Sequence, residues 1–418
     1  MRQLLLITCV GAVLEFFDFA ILFLFADVLT RVFIPGEEGS RLWIFAIFAL
    51  GYLTRPLGGL LFSHFGDRIG RKRLFRLSIL LMSLATLGIG LLPGYALVGG
   101  LAPALLVLCR IIQGLSVGGE LPGSIIYAAE QVPPNQRGLV TASIITSATL
   151  GHVLAGAVAI LIAATLTEGE IQQWGWRLPF FAGGVLGVVG YLARRHIAET
   201  PLFIAIVERG EVVKVPFLEL WQHNRQNLLI AIGLVAIAGT VSAFCLFLPS
   251  MIAQHLHYSH LSAYGFTTTA MLLLAAGTFC AGVVSDRIGR RRVILTGCAV
   301  LLLCMLPAIH CMLCGHFWVL LMVTVLPASL INGCYQATIT ELFDTPVRYS
   351  GLAISHNLGI SLFGGASPYL MELLCGQGFL LAPVLFLGLA ALLAGLSGLT
   401  MPCRYRTGLD HNKSVRLV

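Results

Sequence analysis

The chain alternates long apolar stretches with short polar or basic segments. Each stretch approaches or exceeds the roughly 20 residues that an α-helix needs to cross a bilayer. The pattern therefore predicts an all-α polytopic membrane protein with twelve membrane-spanning helices. The predicted spans are 4–30, 42–62, 74–93, 101–129, 138–166, 177–193, 228–250, 264–284, 293–314, 317–340, 350–374 and 380–401.

The longest polar segment divides six predicted spans from six. This division predicts an N-terminal six-helix bundle over 1–193 and a C-terminal six-helix bundle over 228–402. A cytoplasmic central loop over 194–227 joins the bundles, and a short cytoplasmic tail occupies 403–418.

Composition supports a membrane protein and explains the positive charge. Hydrophobic residues make up 57% of the chain and charged residues only 11%, with a formal net charge of +7, whereas soluble domains are about a quarter charged. Most of the 26 lysines and arginines fall in loops on the N-terminal side of the predicted membrane. This bias indicates topology rather than nucleic-acid binding and places both termini in the cytoplasm. The same topology places tryptophans at the outer interface, namely Trp43, Trp174, Trp176 and Trp318.

Two halves of the chain repeat the same loop sequences. "GDRIGRKR" (66–73) follows the second span, and "SDRIGRRR" (285–292) follows the eighth. A second repeat follows spans four and ten, where the pairs are Glu130 with Arg137 and Glu341 with Arg348. These repeated sequences indicate two six-helix halves related by duplication. Parallel repeats of this kind build transporters whose substrate site lies between the halves near the bilayer midplane.

Ionisable residues inside the first-half spans are the strongest functional candidates. Such groups cost several kcal/mol at membrane depth unless they are paired or hydrated. Glu15 and Asp18 lie one turn apart in "GAVLEFFDFA", and Glu15 lies roughly 17 Å deep at ~1.5 Å per residue. Arg110 reaches a similar depth, at roughly 14 Å from the opposite side. We expect Arg110 to face Glu15 or Asp18 across a central cavity, so that protonation weakens the pair and couples proton entry to substrate movement. The alternative is a static ion pair that holds the helices together.

Other polar residues inside spans have two possible roles each. Arg55 either binds a substrate carboxylate or anchors the loop beneath it, and the sequence slightly favours the anchor. Glu120 is expected in a gate or helix contact near the cytoplasm, whereas Asp27 and Glu372 are expected to be solvated near the outer surface. The substrate-binding candidates, each of which either contacts a ligand or packs against a neighbouring helix, are Arg55, Arg110, Gln113, His152, Asn332, Gln336, His356 and Asn357.

The sequence offers no support for an enzyme. The CxxC of "HCMLCGH" (310–316) lacks a second ligand pair at a zinc spacing, so no metal site is predicted. Neither an HExxH motif nor a GxxxxGK[ST] loop is present, and no cofactor is expected.

Several strings resemble one family in particular. The D-R-x-G-R loops on a 6+6 chain resemble the Major Facilitator Superfamily. Its metabolite:proton symporter branch, which includes proline/betaine, citrate, α-ketoglutarate and shikimate carriers, is similar in further strings: "EFFDF" (15–19), "RPLGG" (55–59), "RIIQGLSVGGE" (110–120), "WGWRLPF" (174–180), "ETPLF" (199–203) and "RYSGLA" (348–353).

This resemblance implies a pseudo-symmetric Major Facilitator fold that acts as a monomer in a bacterial inner membrane. It implies proton-coupled import of a small metabolite such as the zwitterions proline or betaine, with the proton and the lipid bilayer as its other partners. The alternatives are a di- or tricarboxylate symporter or, third, a proton-driven exporter. The resemblance also implies a gating role for the charged loop residues, which are Asp67, Arg68, Arg71, Glu130, Arg137, Asp286, Arg287, Arg290, Glu341 and Arg348.

Overall fold

A computed structural model describes residues 2–34, 36, 40–69, 71–194, 224–255, 259–343 and 347–401. For some helical residues in these ranges, including 63–69 and 71–76, it describes the backbone alone. All regular elements in the described ranges are helical. The central segment 195–223 and the tail 402–418 lie outside the described residues, so the predicted loop and tail stay predictions.

The first half contains six helical spans, three of which are interrupted. Its helices are Arg2–Leu24 with Ala26–Phe33 (span 1), Ser40–Leu53 with Arg55–Ile69 (span 2), Arg71–Leu91 (span 3), Leu101–Val117 with Glu120–Glu130 (span 4), Arg137–Thr165 (span 5) and Arg177–Arg194 (span 6). Short turns lie between them at Tyr95–Val98, Pro134–Gln136, Glu168–Glu170 and Ile171–Gly175.

The second half repeats this arrangement. Its helices are Arg225–His255 (span 7), His260–Ile288 (span 8), Arg290–Leu303 with Met305–Cys314 (span 9), Phe317–Leu342 (span 10), Arg348–Ile360 with Ala366–Gly376 (span 11) and Ala382–Thr400 (span 12). The two helices of span 11 are joined by a π-helical turn at Ser361–Gly365.

All twelve predicted windows coincide with these spans. In the described part of the chain, eight helical segments are long and apolar enough to cross a membrane. Two bent pairs, in spans 1 and 9, raise the number to ten, and two shorter apolar helices in spans 3 and 6 complete twelve. The predicted all-α, twelve-helix architecture is therefore confirmed.

Breaks within the spans follow from local sequence. Span 2 is interrupted at Thr54, directly before Arg55 and Pro56; proline has no N–H and disfavours helix in the preceding residue. Span 4 is interrupted at Gly118 and Gly119, because glycine loses more backbone entropy than any other residue when it enters a helix. Both breaks lie beside the charged residues that the sequence singled out.

Close packing of spans 2 and 4 depends on glycine. A methyl group at Gly114 would overlap the carbonyl oxygen of Gly51, and one at Gly118 would overlap that of Arg55. Small residues let two membrane helices approach this closely. The contact places Arg55 and Arg110 side by side in the first half.

The two ends of the bundle differ in composition. Arg137, Arg290 and Arg348 begin spans at one end, here called the basic end. At the opposite end Trp43, Trp174 and Trp318 are 65%, 44% and 52% exposed, as expected for side chains at a membrane interface. Trp176 departs from the prediction because it is fully buried, where it packs against Phe33.

Candidate functional site

Four charged side chains lie buried at mid-span in the first half. Glu15 and Asp18 of span 1 are 2% and 4% exposed, Arg55 of span 2 is 1% exposed, and Arg110 of span 4 is fully buried. Charged groups so deeply buried are almost always paired. Their partners therefore define the site.

Glu15 pairs with Arg55. Arg55 Nη2 lies 3.4 Å from Glu15 Oε1. The break at Thr54 makes Arg55 the first residue of the second helix of span 2, where it reaches span 1. Arg110 was expected to face Glu15 or Asp18, and of these two acids Glu15 forms an ion pair with Arg55, which thereby belongs to the buried cluster.

Asp18 connects to Arg110 through two neutral side chains. Arg110 Nη1 donates to Gln113 Oε1 at 2.8 Å, and Gln113 Nε2 donates to Thr86 Oγ1 at 2.8 Å. Thr86 Oγ1 in turn donates to Asp18 Oδ2 at 2.7 Å. Arg110 thus faces Asp18 through a hydrogen-bonded chain, here called the Thr86 relay, instead of a direct ion pair. Sequence reasoning missed Thr86 because a threonine in an apolar span carries no distinctive signal.

An aromatic cluster lies under both guanidinium groups. The Arg110 guanidinium carbon lies 4.7 Å from the centre of the Phe19 ring, and that of Arg55 lies 5.5 Å from the same centre. Phe48 and Tyr52 supply further faces, at 5.3 Å each. Cation–π contacts are worth up to about 2 kcal/mol when desolvated. The sequence signal for Phe19 was its place four residues after Glu15, on the same helix face.

Several polar atoms of this cluster lack hydrogen-bond partners in the described part of the chain. They are Asp18 Oδ1, Arg55 Nε, Arg110 Nε and Arg110 Nη2. Buried polar atoms are paired in the great majority of cases, so each exception requires an explanation. Here they leave donors and an acceptor available for a ligand, a water molecule or a proton.

Neutral polar groups of the second half face Arg55. Gln336 Nε2 lies 3.0 Å from His356 Nδ1, and the His356 ring stacks on Tyr335 with centroids 6.3 Å apart. Arg55 is close enough to act electrostatically on both Tyr335 and His356. Asn357 Nδ2 crosses between the halves and donates to the Gly118 carbonyl at 2.6 Å.

The remaining substrate candidates have partners within their own half. Asn332 Nδ2 donates to Thr278 Oγ1 at 2.9 Å. His152 is 3% exposed and packs against Phe16, with ring centroids 5.3 Å apart. Glu372, expected to be solvated, is only 7% exposed because the second helix of span 11 is covered by its neighbours.

At the basic end, the duplicated Glu–Arg pairs exchange partners across the halves. Arg348 Nη1 of the second half donates to Glu130 Oε1 of the first at 2.8 Å. Arg137 of the first half is in turn within electrostatic range of Glu341 of the second. Arg290 Nη2 lies 3.3 Å from Glu341 Oε1. We call these contacts the inter-half lock.

Asp286 extends this lock by capping a helix of the other half. Its two carboxylate oxygens accept the backbone N–H groups of Gly138 and Leu139, at 2.9 and 2.8 Å. A carboxylate at a helix N-terminus satisfies unpaired N–H groups and favours the helix dipole. Arg290 holds Asp286 at 2.6 Å and also donates to the carbonyl of Pro134 at 2.9 Å. Arg287 is exposed.

The equivalent residues of the first repeat were predicted to gate as well. They are Asp67, Arg68 and Arg71, whose side chains lie outside the described residues. Their role stays a prediction.

The cysteine- and histidine-containing segment forms a small surface pair. His310 Nε2 lies 3.7 Å from Cys314 Sγ. Among the described residues, no group of three or more His, Cys, Asp or Glu side chains has a geometry that would hold a metal ion.

Two duplicated six-helix halves with buried charges at mid-span define a polytopic helical membrane protein of the secondary-transporter type. A sequence model of the Major Facilitator Superfamily matches residues 8–368, with a second match over 230–409. This chain belongs to the Major Facilitator Superfamily, whose members are transporters and not enzymes.

Named relatives extend over nearly the whole chain. A proline/betaine transporter of Salmonella typhimurium is 33% identical over 418 residues, covering 96% of this chain and 83% of that protein. The glycine betaine/proline/ectoine/pipecolic acid transporter OusA of Dickeya dadantii is 32% identical, with coverage of 96% and 83%. A crystal structure of a D-xylose–proton symporter has a TM-score of 0.75 at 18% identity, covering 97% and 98% of the two chains, which supports the fold.

Proposed function

We propose that this protein imports a small zwitterion of the proline/betaine class together with a proton, by alternating access. One observation carries the proposal: two buried acid–base units, Glu15 with Arg55 and Asp18 with Arg110 through the Thr86 relay, lie against the shared Phe19 ring. The names of the relatives support the substrate class.

A zwitterion suits this site because the site is balanced in charge. Each guanidinium has an acid of its own, so the cluster is neutral when both acids are ionised. A substrate with one carboxylate and one ammonium group exchanges with such a pair without adding net charge to the membrane interior. A di- or tricarboxylate, the alternative substrate, uses Arg55 and Arg110 as its bases but adds negative charge that these acids oppose.

The coupling step follows from competition for Arg55. The substrate carboxylate binds the Arg55 guanidinium and displaces Glu15 from it. A buried carboxylate that loses its cation is favoured in the neutral form, so Glu15 takes up a proton as the substrate binds. Asp18, whose Oδ1 has no hydrogen-bond partner in the described structure, is the second proton acceptor of the set.

The second half supplies neutral contacts to the same substrate. His356 lies within electrostatic range of Arg55, Gln336 contacts His356, and Asn357 reaches Gly118 of the first half. We assign these three residues to the substrate site together with Arg110 and Gln113. Asn332, which donates to Thr278 inside its own half, and His152, which packs against Phe16, support the shape of the site. This arrangement supports a substrate site between the halves, as in other transporters built from parallel repeats.

The inter-half lock acts as the inner gate. We place the basic end and both chain termini in the cytoplasm of a bacterial cell, with the protein acting as a monomer in the inner membrane. Formation of the Glu130–Arg348 and Arg137–Glu341 pairs, with Asp286, Arg287 and Arg290, closes the cytoplasmic side. Asp67, Arg68 and Arg71 serve the same gate in the first repeat.

Uptake into proteoliposomes tests the proposed function. Radiolabelled betaine, proline, citrate and α-ketoglutarate are supplied with and without an inward proton gradient. We expect gradient-driven accumulation of betaine or proline, which an uncoupler abolishes. Accumulation of only citrate or α-ketoglutarate would transfer the proposal to the carboxylate class, and outward transport of a dye without uptake would replace it with export.

A further inference from the structure

A cavity lies inside the first half, away from the boundary between the halves. Its water-accessible volume is about 20 Å³, which is enough for roughly one water molecule. Spans 1, 3, 4 and 6 contribute its walls, through residues that include Gly11, Ser83, Glu120 and Gly187. Every described residue that lines it belongs to the first half, so it is distinct from the space in which we place the substrate.

Three carboxylates border this cavity. Glu15, Asp18 and Glu120 all line it and are 2–4% exposed. Asp18 Oδ2 is held by Thr86, whereas Asp18 Oδ1 has no hydrogen-bond partner among the described residues. A methyl group at Gly183 of span 6 would overlap Asp18 Oδ1, so this oxygen lies against the helix that also contributes Gly187. A buried carboxylate oxygen without a donor is costly unless water reaches it.

Glu15 and Asp18 therefore lie between two compartments. On one side they contact Arg55 and the Thr86 relay, and Arg55 faces Tyr335 and His356 of the second half. On the other side they line the cavity, which continues along span 1 to Gly11. Gly11 is seven residues from Asp18, which corresponds to roughly 10 Å toward the basic end.

While the inter-half lock is formed, the boundary between the halves offers no proton route to the basic end. In this structure the Glu130–Arg348 pair and the Asp286 cap close the boundary between the halves at the basic end. A proton held on Glu15 or Asp18 cannot leave through that boundary while the lock is formed. The cavity reaches the same carboxylates from within the first half.

We infer that this cavity holds a water molecule that carries the proton from Glu15 or Asp18 to Glu120 and so toward the basic end, on a path separate from that of the substrate. The inference rests on the proposed proton coupling. In the release step, the carboxylic acid O–H bond breaks, a cavity water accepts the proton as hydronium, and the proton passes by Glu120. The carboxylate left behind pairs again with Arg55, or with the Thr86 relay and through it Arg110. This pairing keeps the acid ionised in the absence of substrate. Proton leak through the cavity is therefore slow when no substrate is transported.

Filling the cavity tests the route in transport. Ser83→Leu places a large side chain in the cavity, and Ile79→Phe does so from the same span. Leu84→Phe is the matched control, since Leu84 is adjacent on span 3 but 53% exposed on the outer surface. Two assays are compared in proteoliposomes: betaine accumulation driven by a proton gradient, and exchange of labelled for unlabelled betaine at equal pH.

We expect the filled variants to lose accumulation by about tenfold or more, because a positioned proton path contributes at least that much to a transfer rate. Exchange needs no net proton release, so it should stay at the wild-type level, which also shows that the variants are folded. Leu84→Phe should change neither assay. Equal losses in both assays for the two filled variants, or no loss in either, would overturn the inference.

Hydroxyl-radical labelling tests the water directly and needs no substrate. Met82 lines the cavity, whereas Met271 of span 8 is fully buried elsewhere. We expect Met82 to be oxidised several-fold faster than Met271 in the wild type and to be protected in Ser83→Leu. Equal protection of Met82 and Met271 in the wild type would show a dry cavity and overturn the route, even if betaine uptake is proton-driven. Labelling of Met82 without any betaine uptake would instead sustain the hydrated cavity and refute the proposed function.

Discussion

The two halves of this protein contribute the same residue types at the basic end but different ones at mid-span. At the basic end, each half contributes a glutamate and an arginine to the inter-half lock, and Asp286 of the second half caps a helix of the first. At mid-span, the first half buries Glu15, Asp18, Arg55 and Arg110 together, whereas the second half presents Gln336 and His356.

Under the proposed function, this contrast separates two tasks, which are gating at the basic end and proton transfer at mid-span. A gate must close symmetrically, so duplication is retained where the halves meet. A proton carrier needs buried ionisable groups whose charge costs several kcal/mol to maintain in the membrane, and one set is sufficient. The second half therefore needs only neutral groups to recognise the substrate. Glu372 is a buried acid of span 11, near the tryptophan-rich end of the bundle, and it belongs neither to the mid-span cluster nor to the inter-half lock. It therefore serves as a control for substitutions of the buried acids in the cluster.

The largest expected effect comes from breaking the Glu15–Arg55 pair. Arg55→Gln leaves Glu15 without this ion pair in a buried site, which typically costs about 3–5 kcal/mol. We expect a clear loss of thermal stability in detergent and no betaine uptake. The double variant Arg55→Gln with Glu15→Gln should regain most of the stability but not the proton-driven accumulation. A single variant that unfolds at the wild-type temperature would contradict the ion pair.

Asp18→Asn separates proton transfer from substrate movement. Asparagine still accepts the hydrogen bond from Thr86 but does not titrate. We expect gradient-driven accumulation to fall by about 100-fold or more, the scale of a lost proton-transfer group, while betaine exchange persists. Glu372→Gln, which removes a buried acid outside the cluster, is the control and should retain accumulation. Normal accumulation by Asp18→Asn would remove Asp18 from the coupling set.

Weakening the lock should have a smaller effect. The Glu130–Arg348 pair is partly exposed, with side-chain exposures of 21% and 16%, so its loss costs at most about 1 kcal/mol. Glu130→Gln should shift the population several-fold toward a state open at the basic end, as measured by single-molecule fluorescence distances across that end. The exchanged variant Glu130→Arg with Arg348→Glu should restore the wild-type distribution. If it behaves like the single variant, the pair does not act as a lock.

The smallest expected effect lies at the opposite end of the bundle. Thr167 and Glu170 form a capping box, and the hydrogen bonds from Thr167 to the Glu170 carboxylate lower the pKa of Glu170. A lowered pKa in the folded state stabilises the turn above the pKa of the unfolded chain, and this stabilisation is lost as the pH falls through the folded value. We expect Glu170→Gln to leave transport unchanged and to remove the pH dependence of the amide protection factors in this turn, which are exchange rates corrected for the intrinsic rate at each pH. Altered betaine uptake would assign the turn a role that this account does not give it.

The sequence predicts span number, duplication and the buried acids because hydropathy and charge report these features directly. It does not predict which arginine pairs with which acid. A span that is apolar on all sides carries little information about its rotation, and the contact of Arg55 with Glu15 depends on the break at Thr54. The sequence also does not predict that Glu130 pairs with Arg348, or that Arg137 lies near Glu341, in the other half. The spacing along the chain suggests pairs within each half instead. Trp176 and Glu372 were misplaced because their burial depends on neighbouring helices.

Simultaneous measurement of proton and substrate movement tests the central claim most directly. Proteoliposomes that contain a pH-sensitive dye receive radiolabelled betaine at equal pH on both sides, for the wild type, Asp18→Asn and Glu15→Gln. We predict acidification of the lumen that accompanies betaine entry in the wild type and is lost in at least one variant that still exchanges betaine. Betaine entry into wild-type vesicles without any change in lumenal pH would contradict proton coupling through this cluster.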